Sequence, residues 1–197
     1  MPENSKPEMT PSRIIWQSES SSISGQVYRQ LHSAIIRGEI SPGEQLSESA
    51  IARHYSTSRQ PVREAFIKLA EERLVSIQPQ RGTFVVKISV ADVLDARFVR
   101  EAIELAVTRE AATSAPLSAI RELRALIEKQ QAVQSGHNSE FLALDEEFHR
   151  ALALSVGHAH AWRVIEGIKA QMDRIRYLSL DDATPLHLLI EQHERIV

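Results

Sequence analysis

The stretch that decides the fold is Leu46-Ser47-Glu48, then Ser58-Arg59-Gln60-Pro61-Val62-Arg63-Glu64-Ala65, then Leu74-Val75, and last Arg81-Gly82-Thr83-Phe84-Val85. It reads as a helix, a tight turn, a second helix and a two-stranded wing. The second helix opens on Ser58, Arg59, Gln60 and Arg63, side chains that can reach phosphates or base edges. A helix-turn-helix needs such groups at the N-terminal end of its second helix, because that end enters the major groove. Arg59 and Arg63 lie four residues apart on one face and suit guanine, while the Gln60 amide suits adenine. Arg81, Gly82 and Thr83 fall where the two strands turn, at the tip of the wing. Short basic helices are also common on solvated surfaces, so the spacing of the whole stretch carries the reading.

Upstream, Val27, Leu31, Ala34 and Ile35 give one apolar face to a helix over 23–37, which Gly38 ends. A short helix spans 47–54. Ser58 is an N-cap residue for a helix over 59–72, and Pro61 is tolerated in its first turn, where N–H groups have no intrahelical partner. Strands are predicted over 74–78 and 83–87. Residues 1–19, with Pro2, Pro7, Pro11 and several Ser and Glu, read as a disordered arm.

From Ser89 the pattern is helical to the end. Ser89 and Asp92 form a capping-box signal for a long helix reaching Thr113, with an apolar stripe of Leu94, Phe98, Ala102 and Leu105. Arg100 sits off that stripe, beside Val93, Ile103 and Val107. Further helices are predicted over 116–134, 139–155 and 159–178. A last one begins with Thr184 as N-cap and Pro185 in its first turn. The reading is therefore mainly α: an N-terminal winged helix-turn-helix over 20–88 and an all-α helical bundle over 89–197.

The bulk numbers agree with two soluble domains. A chain of 197 residues has room for both, and 25% charged residues beside 43% hydrophobic ones is ordinary for a globular protein. There is no cysteine, which excludes disulfides and thiolate metal sites. No apolar run reaches the ~20 residues of a membrane span, and no signal-peptide core opens the chain, so the default expectation is cytoplasmic. Residues 21–90 hold nine Lys/Arg against six Asp/Glu, whereas residues 91–197 hold twelve against seventeen. The basic excess is on the half that would meet phosphates.

Three polar residues interrupt apolar stripes. The helix over 139–155 has Phe141, Leu142, Phe148, Leu152 and Val156 on one face, with Asp145 and His149 stacked among them. His193 lies on the stripe of Leu186, Leu189, Ile190 and Val197. A carboxylate facing a core is costly unless it is paired or binds a metal. One carboxylate and two imidazoles suit a divalent Zn, Mn or Ni ion, with an open position for water or an acid. The same spacing also serves a plain structural hydrogen bond. Arg100 can present a fork to a carboxylate, or pair on the surface with Glu104. His158 and His160 lie near a helix start and read as solvated or capping groups.

Residues 31–86 resemble the DNA-binding domain of the GntR family of bacterial transcription regulators. The matching phrases are Ala34-Ile35-Ile36-Arg37-Gly38-Glu39-Ile40 with Pro42-Gly43-Glu44, Leu46-Ser47-Glu48, Ser58-Arg59 with Pro61 to Ala65, and Arg81 to Val85. Asp145-Glu146-Glu147-Phe148-His149-Arg150-Ala151-Leu152 and Glu191-Gln192-His193-Glu194-Arg195-Ile196 resemble motifs of the FCD effector domain of the FadR subfamily. The resemblance implies operator contacts from Arg59 and Arg63, and approach of the wing glycine to the minor groove. It implies metal ligation by Asp145, His149 and His193, and an Arg100 that points into an effector cavity. It also implies a fourth ligand on a final helix beyond Val197, which on this reading is lacking. Gln60 stands where the family commonly has Thr, and Gly157-His158 where it commonly has Gly-Asn.

The expectation is a homodimeric, effector-responsive regulator, in mode a repressor. It would bind an inverted-repeat operator in double-stranded DNA and a small organic or sugar acid beside a divalent metal. A metal-dependent enzyme using Asp145, His149 and His193 is the rival, but it lacks a supported general base and leaves Ser58 to Ala65 unexplained. A constitutive DNA binder with a purely dimerising helical half is the other.

Overall fold

The computed structural model describes residues 22–134, 137–183 and 185–197. The predicted arm over 1–19 and the Thr184 cap lie outside the described residues. In chain order the elements are α1 (Ile23–Ile36), β1 (Gln45–Leu46), α2 (Glu48–His54), α3 (Arg59–Glu71), β2 (Val75–Gln78) and β3 (Gly82–Val85). The helical half follows as α4 (Val90–Ser114), α5 (Leu117–Ala132), α6 (Asn138–Ser155), α7 (Ala159–Ile168), α8 (Ala170–Ala183) and α9 (Leu186–Glu194).

In the N-terminal half α3 buries Val62, Ala65, Phe66 and Leu69, the i, i+3, i+4, i+7 set of one helical face. They meet Val27, Leu31 and Ile35 of α1, and Leu74 and Val85 close the core beneath the wing. That packing turns Arg59, Gln60 and Arg63 outward. Ser22, Ser47 and Ser89 each accept a bond from the backbone N–H three residues on, satisfying orphan donors at the starts of α1, α2 and α4.

The wing holds one strand more than the sequence pattern indicated. β1 pairs antiparallel with β3, which pairs antiparallel with β2, so the order is β1-β3-β2. Gln45 lies opposite Phe84, and Leu46 opposite Thr83. The tip needs its glycine. Gly82 has φ +111°, and a Cβ there would stand 2.6 Å from the Gln45 amide nitrogen, which donates to the Arg81 carbonyl at 3.1 Å.

The helical half packs around Phe148, Leu152, Leu126, Trp162 and Ile165. One expectation is corrected here, and one open question of phase is answered. The single helix over 159–178 is two helices, α7 and α8, which break at Lys169. Its ammonium is held by Glu146 of α6 at 2.9 Å and by Asp173. The α4 stripe of Leu94, Phe98, Ala102 and Leu105 faces solvent, while Ala96, Arg100, Val107 and Ala111 form the buried side. Phe98 is 73% exposed and Arg100 only 9%. The helix is apolar on two sides, so its phase follows from its neighbours and not from its own pattern.

Candidate metal centre and nucleic-acid interface

At the helix-turn-helix, Ser58 stands at the N-cap of α3 with extended backbone, but its hydroxyl makes no capping bond. It is exposed and free to reach outward. Arg59 is exposed beside it. Gln60 donates to Glu64 one turn on, at 3.3 Å, and the Arg63 Nε donates to Glu48 of α2 at 2.9 Å. These are surface contacts, worth about 0–1 kcal/mol and readily exchanged for phosphate or base edges. Arg81 projects at the wing tip. Thr83 departs from the expectation. It is 4% exposed and its side chain lies on the inner face of the sheet, so it offers no hydroxyl to an approaching duplex. The alternation of a strand explains this, because Gly82 at the turn and Phe84 take the other face.

The second constellation lies in the helical half. Asp145 and His149 project from one face of α6, and His193 comes from α9. One ligand atom of each lies within 4.8 Å of the others. Asp145 is 3% exposed and His193 5%. The Oδ1 of Asp145 lies 3.6 Å from Nε2 of His193, while its Oδ2 accepts a bond from the Arg176 guanidinium at 2.6 Å. His193 stacks on Phe148 with ring centroids 4.3 Å apart, and Nδ1 lies 2.8 Å from the Gln130 side-chain oxygen. That oxygen can only accept, so Nδ1 carries the proton and Nε2 keeps its lone pair for the centre of the cluster. Gln130 is itself fixed, its amide donating to the Leu144 carbonyl at 3.1 Å. His149 is steadied by Glu104, which lies 3.3 Å from its Nδ1 and also accepts from Arg100 at 2.9 Å.

The electrostatics keep the three side chains in forms that could hold a metal. Burial would raise the Asp145 carboxyl, but Arg176, His149 and His193 outweigh it and hold the group below its usual range. Burial pushes His149 down despite Asp145 and Glu104, and pushes His193 down to about 4. An anionic carboxylate, two neutral imidazoles and one fixed tautomer fit a divalent first-row cation. Beside His149 opens a cleft of about 430 Å³, lined by Arg97, Arg100, Glu104, Leu105, Met172 and Ile196 among others. A surface ion pair of Arg100 with Glu104 was one reading of the sequence. The pair exists, but it is partly buried, on the wall of this cleft.

Residues 23–85 match the family described as bacterial regulatory proteins, gntR family, and residues 95–197 match the FCD domain. The chain belongs to the GntR family and carries an FCD domain. This GntR regulator is 42% identical over 172 residues to the HTH-type transcriptional repressor RspR of Escherichia coli K12, covering 87% of the chain and 75% of the relative. It is 35% identical to an HTH-type transcriptional regulator of an unstable DNA locus in Streptomyces ambofaciens, covering 86% and 72%. Among solved structures, a transcriptional regulator of Rhodococcus sp. RHA1 superposes with a TM-score of 0.67 at 28% identity, over 87% of this chain and 83% of that one. McbR/YncC of E. coli shares the fold, with a TM-score of 0.69 at 22% identity over 89% and 87%. Family and relatives are transcription regulators, not enzymes. No helix among the described residues is long and apolar enough to cross a membrane.

In this GntR regulator the structure brings Asp145, His149 and His193 together and sets Arg100 within reach through Glu104. His158 and His160 stay apart, paired with Glu110 at 2.8 Å and Arg163 at 3.2 Å. Sequence reasoning missed Arg176 and Gln130, and it named Glu104 only as a partner of Arg100, not of His149. Glu104 had a signal, its i+4 spacing from Arg100. Arg176 lies thirty-one positions from Asp145 on a different helix, and no local pattern points to it.

Proposed function

We propose that this GntR regulator is a repressor that binds an inverted-repeat operator as a homodimer and responds to a small organic or sugar acid bound beside a divalent metal. The observation that carries the reading is the convergence of Asp145, His149 and His193, with His149 also lining a cleft that holds Arg100. The metal, Zn, Mn or Ni, would be held by those three side chains and would supply a Lewis-acid contact for an acidic ligand. Arg100 binds the ligand's second oxygen once its pair with Glu104 opens. Ser58, Arg59, Gln60 and Arg63 enter the major groove, and Arg81 with Gly82 follows the adjacent minor groove. A repressive mode is supported by RspR, a relative described as a transcriptional repressor. The site of action is the cytoplasm, where the operator is.

The dimer reading rests on α4. An antiparallel pairing of two α4 helices about a two-fold axis between Glu101 and Ala102 brings the exposed Phe98 and Leu105 of the two copies together, with Leu94 opposite Arg109. Phe98 meets Leu105 of the second copy, and Ala91 meets Ala112. The exposed apolar side chains of Phe98 and Leu105 then leave water in both copies at once.

Titration calorimetry with Zn²⁺, then with a panel of small carboxylates, tests the site. Zn²⁺ is expected to bind one per chain, His149→Ala to abolish that binding, and Arg100→Ala to weaken carboxylate binding while sparing Zn²⁺. Absence of Zn²⁺ and Mn²⁺ binding to the intact chain would make the cluster an ordinary buried hydrogen-bond network.

A further inference from the structure

Helix α8 touches both the candidate metal centre and the DNA-binding half, and it does so through buried polar side chains. Arg176 holds Oδ2 of Asp145 at 2.6 Å. On the other side of the same helix, Gln171 donates to the Arg73 carbonyl at 2.7 Å, and Arg174 donates to the Val86 carbonyl at 2.7 Å. Arg174 is 2% exposed and Gln171 4%, and the two bond each other at 3.2 Å. Their targets are joints. Arg73 links α3 to β2 with a left-handed φ of +57°, and Val86 is the first residue after β3, on the way to α4. Apolar packing reinforces the hold. Ala170 and Tyr177 pack into the core beneath α3, and Tyr177 also packs against Phe141 and Leu142 of α6.

We propose that α8 is the element through which occupancy of the Asp145–His149–His193 centre reaches the DNA-binding half, with Arg176 as the positioning residue at its sensing end. The inference rests on the metal reading above and goes beyond it by naming the route. Asp145 divides its two oxygens: Oδ1 lies toward His193 and Oδ2 toward Arg176. Arg176 thus fixes the carboxylate with one oxygen turned to the ligand cluster. A divalent cation on that oxygen draws on the same negative charge and repels the guanidinium, so the Arg176 tie weakens when the site fills. An intact helix moves as a unit. Loosening at Arg176 is therefore felt at Arg174 and Gln171, within about two turns. The joints at Arg73 and Val86 set the orientation of the wing and of the link to α4, so the strength of this hold biases how α3 is presented. Lys169, at the α7–α8 break, adds a second tie to α6 through Glu146, the neighbour of Asp145.

Amide hydrogen exchange of the full chain, with Zn²⁺ or with EDTA, tests the route without knowledge of the operator. In the wild type, Zn²⁺ should slow exchange in α6 and α9. It should also quicken exchange over residues 73–89 by about twofold or more, as local openings become easier. In Arg176→Met the slowing in α6 and α9 should remain and the response over 73–89 should vanish. Gln171→Ala, cut at the other end and sparing Asp145, should reduce the same response, and it decides the matter if Arg176→Met fails to fold. Zn²⁺ protection of α6 and α9 with an unchanged 73–89 segment in the wild type overturns the relay and leaves the metal reading standing. A wild-type response in both variants also overturns it. No protection of α6 and α9 by Zn²⁺ removes the metal reading, and the relay with it.

Discussion

Arg63 is held by Glu48 across the turn of the helix-turn-helix, at 2.9 Å and largely in solvent. Such a pair orients the guanidinium at little cost, and a guanine edge or phosphate can replace Glu48 without a large penalty. Arg59 points outward in the first turn of α3, where the helix dipole adds a preference for phosphate oxygens. Arg59→Ala and Arg63→Ala are each expected to weaken specific operator binding by about 1–3 kcal/mol, with relaxed base preference where the Arg made a bidentate contact. Gel shifts across a set of single-base operator variants measure both effects. Unchanged affinity in the double variant would move the interface away from α3. At this scale the sequence was legible where chemistry is local. The Asp145–His149 pair follows from four-residue spacing and His193 from its place on an apolar stripe. Arg176 and Gln130 were not legible, because their partners are brought together only by packing of α5, α6, α8 and α9. Thr83 misled for the opposite reason: its neighbours Arg81 and Gly82 are at the tip, but strand alternation turns its own side chain inward.

Elements were readable when one period dominated. The apolar face over 23–37 predicted α1, and the Ser58 cap with Pro61 predicted α3. The two-residue β1 is too short to show alternation, and its pairing to β3 spans the whole of α2 and α3, so only the tertiary structure reveals it. The α7–α8 break lies at Lys169, whose ion pairs with Glu146 and Asp173 hold the chain there, although Gly167 two residues before is a weak helix former. A second tie joins α1 to the end of α3. Glu72 accepts a bond from Tyr28, and its other oxygen lies 3.2 Å from Nε2 of His32. Burial would raise this carboxyl, but His32, Tyr28 and the nearby Lys169 hold it below its ordinary value. A carboxyl lowered on folding stabilises the native state above the usual carboxylate range and ceases to do so as pH falls through its folded value. Glu72→Gln is therefore expected to lower stability by about 0.5–1.5 kcal/mol at neutral pH. The difference from wild type should close only as pH falls below the ordinary carboxylate range, where the wild-type carboxyl also becomes neutral. Denaturant melts of both proteins across that range measure it. A difference that persists undiminished in acid would assign the effect to packing instead of charge.

For the whole molecule the decisive surface is one whose placement the sequence left open. The stripe Leu94, Phe98, Ala102 and Leu105 has the periodicity of a core face, and pattern alone cannot say whether the covering partner is the same chain or another. The structure answers the first half, since α4 buries Arg100, Val107 and Ala111 and leaves the larger apolar stripe outside. A second copy is the partner proposed for this stripe. Phe98 and Leu105 pair with one another under a two-fold axis, the symmetry that the proposed inverted repeat would require. Dimerisation would also matter to the effector cleft, because Arg97, Glu101 and Leu105 lie on its rim. Phe98→Asp removes one aromatic anchor per chain, therefore two per dimer, and sets a charge against the apolar stripe of the second copy. Burial of a large apolar side chain is worth about 1.5–3 kcal/mol, so the dimer constant is expected to rise at least a hundredfold. Phe98 is exposed in the single chain, so thermal stability measured at low concentration should change little, which separates loss of association from loss of fold. Sedimentation should show a dimer for the wild type and a monomer for the variant at the same micromolar concentration. The monomer should keep Zn²⁺ binding but lose most affinity for a full inverted repeat, while a single half-site is bound equally by both. A variant that sediments as a dimer would place the two-fold axis on another face of the molecule.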